Sequence, residues 1–252
     1  MTTSTPPLLI DIVEIIIDFL QDDPESLKQC CLVSKLCVAR TRKYLFYHVH
    51  FRDPERFNVW KKIFLDHASS PAIYTRCLSF HHAEFITDAD VGWIRSFKEV
   101  ERLEIWTHRV PENGKGPELT GSFIHFHKLS QSVKLLSVGW DFLPLWDVFG
   151  IISSFPNLED LSVTGCAGIN VSDQAISRPS SLPNLTGTLR INPMTTGFLS
   201  YLSQQNGCGF RKIVRKLWGG IDADSSYTQG VVERCSDTLE YISLDPRTSS
   251  KS

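Results

Sequence analysis

The 252-residue chain has no long uninterrupted apolar run, no C-x-x-C pair and no excess of basic charge. Each absence excludes something. A helix that crosses a bilayer needs roughly 18 to 20 consecutive apolar residues, and no window approaches that. Residues 1–7 carry no basic side chain, and Asp11, Glu14 and Asp18 cut the aliphatic run from Leu8 to Leu20, so the start does not read as an export signal. The sequons at Asn170 and Asn184 are accordingly read as chance matches. With 26 basic against 28 acidic residues and a net charge of -2, the chain lacks the footprint of a nucleic-acid binder. Its seven cysteines are odd in number and scattered, which suits free thiols in a cytoplasmic or nuclear protein.

Catalytic signatures are also missing. No G-x-S-x-G or H-E-x-x-H string occurs, and Gly114-Lys115-Gly116 lacks the spacing of a phosphate loop. Three histidine pairs, His48/His50, His81-His82 and His125/His127, have no carboxylate or thiol at ligand spacing and are read as packing or surface residues. Gly207-Cys208-Gly209 is read as a loop that ends a helix, not as a nucleophile turn. The expectation is a protein that is not an enzyme, with no catalytic, metal or cofactor-binding residues.

What is present begins at Pro6. Leu9, Ile12, Val13, Ile16, Ile17 and Leu20 recur at helical spacing, with Asp11, Glu14 and Asp18 on another stripe, so the spacing predicts an amphipathic helix over Leu8–Leu20. Asp23 is placed to cap a second helix, about Pro24 to Val33, with Pro24 in its first turn. A third, basic helix is expected from about Ser34 to Tyr44, and a fourth over about Pro54 to His67. Three short helices in some 40 residues make a small core that leaves apolar surface to cover.

Beyond Ser70 a short signature repeats: Thr75-x-x-Leu78-x-Phe80, Val100-x-x-Leu103-x-Ile105, Val133-x-x-Leu136-x-Val138, Leu158-x-x-Leu161-x-Val163, Thr186-x-x-Leu189-x-Ile191, Val214-x-x-Leu217 and Leu239-x-x-Ile242-x-Leu244. The middle residues are spaced by roughly 25 to 33, about 27 on average, a period typical of helix-containing solenoid repeats. Amphipathic runs around Val91, Ile94 and Phe97, around Val148, Phe149 and Ile152, and around Phe198, Leu199 and Leu202 fill the intervals. Residues 111–119 and 164–183 read as exposed loops.

Two resemblances follow from these strings. Leu8-Leu9-Ile10-Asp11-Ile12, Ile16-Ile17-Asp18-Phe19-Leu20, the acidic turn Asp22-Asp23-Pro24 and Leu32-Val33-Ser34-Lys35 together resemble an F-box, closest to the F-box-like segments of fungal, mushroom-type proteins. It departs from the usual pattern at Leu9, where a proline is common, and at Cys37, where a tryptophan is common. The later signature resembles a degenerate leucine-rich-repeat array. The fold implied is α/β: a three-helix F-box-like module over residues 1–51, a linker helix over 52–71, and over 72–252 an irregular solenoid of parallel strands alternating with helices.

The F-box resemblance implies docking on a Skp-type adaptor of a cullin-RING, SCF-type ubiquitin ligase, with Leu8, Leu9, Ile12, Ile16, Leu20, Leu27, Leu32 and Val33 as contact or core residues. The repeats would then hold an unidentified client protein for ubiquitin transfer, through Trp106, His108, Trp140 and Asp141 after the strands, with Thr107, Thr164 and Asp245 nearby. The alternative is a non-catalytic repeat scaffold whose F-box has lapsed. Neither reading calls for a nucleic acid, a membrane or a cofactor.

Overall fold

The computed structural model describes residues 7–107, 125–129, 131–140, 145–165, 182–191, 196–204, 208–217 and 225–246. Three helices lead: α1 (Pro7–Phe19), α2 (Pro24–Val33) and α3 (Lys35–Leu45). Asp23 caps α2 as its spacing predicts, accepting from the Ser26 N–H at 3.1 Å, with Pro24 in the first turn. Ser34 ends α2 and caps α3, accepting from the Leu36 N–H at 3.2 Å. Helix α4 (Pro54–Phe64) repeats the arrangement: Asp53 accepts from the Arg56 N–H at 2.8 Å and Pro54 follows it. It stops three residues short of His67 because Leu65 turns left-handed, at φ 48°.

All eight strands are parallel and lie side by side in chain order: β1 (His48–Phe51), β2 (Cys77–His81), β3 (Arg102–Thr107), β4 (Leu135–Trp140), β5 (Asp160–Gly165), β6 (Thr188–Ile191), β7 (Lys212–Leu217) and β8 (Tyr241–Pro246). An unreversed order of parallel strands needs a return segment between each pair. Those returns include α4, α5 (Val91–Ser96), α6 (Leu145–Ser153), α7 (Thr196–Gln204) and α8 (Ser225–Arg234). The α/β alternation expected from the period is therefore present, with a parallel sheet.

A recurring backbone device joins most strands to their predecessors, while at β6 the Thr188 N–H goes to the Asp160 carboxylate instead. Two consecutive N–H groups donate to one carbonyl of the preceding unit: Arg76 and Cys77 to Tyr47, Glu101 and Arg102 to Arg76, Lys134 and Leu135 to Glu101, Glu159 and Asp160 to Lys134, and Glu240 and Tyr241 to Arg211, at 2.8–3.1 Å. The same donors are thus satisfied in the same way from one repeat to the next, as stacked equivalent units require.

Side chains alternate across the sheet. One inward column runs Val49, Leu78, Leu103, Leu136, Leu161, Leu189 and Ile213, and the next Phe51, Phe80, Ile105, Val138, Val163 and Ile191, all buried. The helices cover these columns; Phe149 of α6 and Phe198 of α7 stack with ring centres 5.3 Å apart and 9° between planes. Two sequence expectations need correction. The Leu189 column continues to Ile213, four residues before Leu217, because β7 pairs with β6 through Lys212 to Arg215. The sheet also begins earlier than the repeat signature, since β1 pairs with β2 through His48 to Phe51.

The neighbouring inward column is interrupted at β7 by Arg215, which is buried and donates to Thr228 Oγ1 of α8. At β8, Ile242 and Leu244 hold core registers yet stay exposed, because β8 is the last strand of the described sheet. The loops expected at 111–119 and most of 164–183, with Asn192 and Cys166, lie outside the described residues.

Candidate protein-docking site

The three leading helices pack through few buried residues. Ile17 of α1 and Leu27 of α2 are each 1% exposed, and the Thr41 hydroxyl of α3 donates to the Cys37 carbonyl at 2.7 Å, with the Cys31 thiol 2.7 Å away. Helix α1 is held to α3 by charge. Asp18 accepts from Arg40 Nε at 2.7 Å, from Arg40 Nη2 at 2.5 Å and from the Tyr44 hydroxyl at 2.7 Å, while Glu14 lies 3.6 Å from the same guanidinium. Hydrogen bonds from Arg40 and then Tyr44 lower the Asp18 carboxyl from the usual value near 3.8 to about 2.

This changes the reading of α1. The acidic stripe does not simply face water: Asp18, with Glu14 beside it, turns toward α3. The aliphatic stripe is split. Ile17 is buried, Val13 and Leu20 are half-buried, and Ile12, Ile15 and Ile16 are exposed, as is Phe19 at 86%. A second exposed group stands at the α2–α3 corner, with Leu32 at 81%, Val33 at 82% and Leu36. Soluble monomers seldom leave so many large apolar side chains in water without a partner to cover them.

Of the residues expected to make contact or core, Leu27 is core, Leu20 is half-buried, and Ile12, Ile16, Leu32 and Val33 are exposed. Leu8 and Leu9 lie in α1, with side chains outside the described set. Ile15, Phe19 and Leu36 join the exposed group although spacing did not single them out. Phe19 follows Asp18, and an Asp18 turned toward α3 rotates its neighbour outward by about 100°, an orientation that only the contact with α3 fixes. Cys37 is half-buried in α3, and burial, followed by the nearby Cys30 and Cys31, pushes its thiol up.

Because the Asp18 carboxylate is held below its ordinary value, its contribution is present above about pH 4 and is lost as pH falls through about 2. Amide exchange in α1 is expected to accelerate across that acid range while the sheet stays protected. In Asp18→Asn the same helix should exchange fast already at pH 7, with no further acid step.

Of the client residues expected after the strands, Trp106 and Thr107, Trp140, and Thr164 lie on the neighbouring strands β3, β4 and β5, and Asp245 lies on β8. Trp106 lies half-buried on the open face of β3, its ring centre 5.9 Å from that of His81. Thr107 is turned inward and buried, whereas Thr164 is half-buried on β5. Trp140 pairs with Thr107 and Gly165 in the sheet register, and Asp245 pairs with Lys216. His108 and Asp141, like Gly114-Lys115-Gly116, lie outside the described residues.

The other sequence candidates take ordinary places. His48 and His50 share the open face of β1, with Val49 and Phe51 buried between and beside them. Among the described residues no three His, Cys, Asp or Glu side chains are grouped as metal ligands. Cys208 is buried and its thiol is pushed up to about 12 by burial, which leaves little thiolate for nucleophilic attack. Among the described residues no helix is long and apolar enough to cross a membrane. Comparison of the chain with protein-family models, with curated proteins and with solved structures yields no match.

Proposed function

We propose that the chain is a substrate-recognition adaptor of an SCF-type, cullin-RING ubiquitin ligase, with α1–α3 acting as an F-box-like module and the parallel sheet as part of a leucine-rich-repeat-like solenoid that holds a client protein. The observation that carries the reading is the exposure of Ile12, Ile16, Leu32 and Val33, four positions that the F-box resemblance assigns to adaptor contact or core. Ile15, Phe19 and Leu36 extend the same exposed set. Fully covering such a side chain is worth about 1.5–3 kcal/mol. Seven of them outweigh the low end of the roughly 4–15 kcal/mol that association costs.

The chemistry is proximity. The chain contributes no reacting group; it holds a client near the ubiquitin-charged enzyme of the ligase and raises the effective concentration of the client lysine there. Cys37, half-buried where the family pattern has a tryptophan, favours a second reading in which the module no longer binds its adaptor and the chain is a non-catalytic scaffold.

The test is binding of the full chain to a purified Skp-type subunit. A stable complex is expected, weakened at least about tenfold by Ile16→Asp or by Leu32→Asp, with circular dichroism unchanged because both positions face water. Absence of a complex with the unaltered chain, or a complex indifferent to both substitutions, sinks the adaptor reading and leaves the scaffold.

A further inference from the structure

The open face of the sheet carries a feature that the adaptor reading does not use. His50 of β1 and His81 of β2 meet edge to face with ring centres 4.5 Å apart, and His81 in turn lies beside Trp106 of β3. The Trp106 indole leans onto β4: a Cβ on Gly139 would come within 2.1 Å of its ring, so only glycine admits the tryptophan there. Three rings thus form one shelf over four strands. Partial burial, and then the charge of Arg52, lower the His50 pKa.

Under the shelf, Ser79 stands between His50 and Glu104 in the sheet register. It is 8% exposed, and its hydroxyl has no hydrogen-bond partner among the described residues. Buried hydroxyls are nearly always bonded. An orphan at this position points to a polar partner that arrives with a ligand and shifts the rings to reach it. Ser137 and Ser162 continue the same row on β4 and β5.

Charge decides the class of ligand. Two carboxylates on this face are engaged among the described residues: Glu104 pairs with Arg102 at 2.7 Å, and Asp160 accepts from the Thr188 N–H. Arg52 and Arg190 are exposed and make no ion pair among the described residues, and Lys212 lies over the Tyr241 ring. Unpaired guanidinium groups therefore stand beside β1 and on β6 of this face. Arg52 follows β1 and Arg190 is in β6, five strand spacings of about 4.8 Å, or about 24 Å, apart. An extended peptide covers that distance with about seven residues at roughly 3.3 Å each. A nucleic acid has a phosphate at every nucleotide, and cations only at the ends would leave most of them unmatched.

We infer that the client is held as an extended acidic peptide of about seven residues laid across β1–β6, with carboxylates at its ends on Arg52 and Arg190 and a ring-bearing residue, proline or aromatic, on the His81–Trp106 shelf. The inference rests on the proposal that the sheet binds a client. Proline and aromatic side chains are the partners that indole faces hold without a charge.

An array of heptapeptides tests it, with Glu at both ends and Pro, Tyr, Phe or Trp at the centre, against the same centres flanked by Lys or by Gln. The probe is the labelled full chain, and an eight-nucleotide oligothymidylate serves as the other anion. Glu-flanked members should be retained over the other two sets, with affinity falling at least about tenfold in Arg190→Glu and in Trp106→Ala. Gly139→Ala should weaken binding as well, by driving the indole off β4, and Arg190→Gln, a milder change at an exposed position, should weaken it in the same direction. Equal retention of the three sets, no retention of any, indifference to Arg190→Glu and Trp106→Ala, or preference for the oligonucleotide would overturn the inference. Binding to the Skp-type subunit is measured on the same preparations: peptide failure with that complex intact removes only the peptide site, whereas loss of the complex from the unaltered chain removes the adaptor reading.

Discussion

Phe80→Ala is expected to cost about 3–5 kcal/mol of stability, the largest single loss of any truncation in the sheet. Phe80 is fully buried at the middle of β2, and its ring centre lies 5.1 Å from Phe51, 5.3 Å from Phe126, 5.8 Å from Phe57 and 6.2 Å from Phe85. Those rings come from β1, α4 and two single-turn segments, so they cannot collapse together into the space the phenyl leaves. The cost is then transfer plus cavity, not transfer alone. In urea the midpoint should fall clearly, whereas Val59→Ala on the exposed face of α4 should shift it by no more than about 0.5 kcal/mol. Equal shifts for the two would mean that the aromatic cluster does not organise the first repeats.

Neighbouring residues in α1 should give opposite results. Ile17→Asp is expected to unfold the three-helix segment: Ile17 is 1% exposed, and the substitution puts a carboxylate into the small core it shares with Leu27. Burying an uncompensated charge costs several kcal/mol, more than three short helices can supply. Ile16→Asp, on the exposed side of the same turn, should leave the helices intact and act only on partner binding. Limited proteolysis distinguishes them. Ile17→Asp should be cut within residues 7–45 while the sheet survives, and Ile16→Asp should resist like the unaltered chain. If both are cut alike, the packing of α1 is not that described.

How much was legible depended on whether the signal was local. Helix α2 runs from Pro24 to Val33 as its spacing predicted, because Asp23, Pro24 and Ser34 act through contacts within three residues. The strand period was legible for a related reason: every repeat buries the same two columns, so each motif announces itself independently of its neighbours. The failures arose where a neighbour decided the outcome. Leu217 fitted the motif and Ile213 did not, yet pairing with Leu189 selects Ile213. Strand β1 has no repeat motif and is recruited by β2 alone. Helix α8 carries Ser, Thr and Gly230 and little aliphatic periodicity, and it was missed.

The candidate site divides along the same line. The chain by itself determined that Leu8 to Leu20 is an amphipathic helix and that aliphatics outnumber what a three-helix core can hide. Which aliphatics stay in water was settled only by the tertiary structure. Asp18 finds Arg40 and Tyr44, residues 22 and 26 positions away, and that clamp sets the rotation of α1. Ile17 is thereby turned inward and Ile12, Ile16 and Phe19 outward. Helical periodicity defines a stripe about 100° wide or more; it carries no information on which edge of the stripe meets a distant partner, because that partner is brought close only by folding.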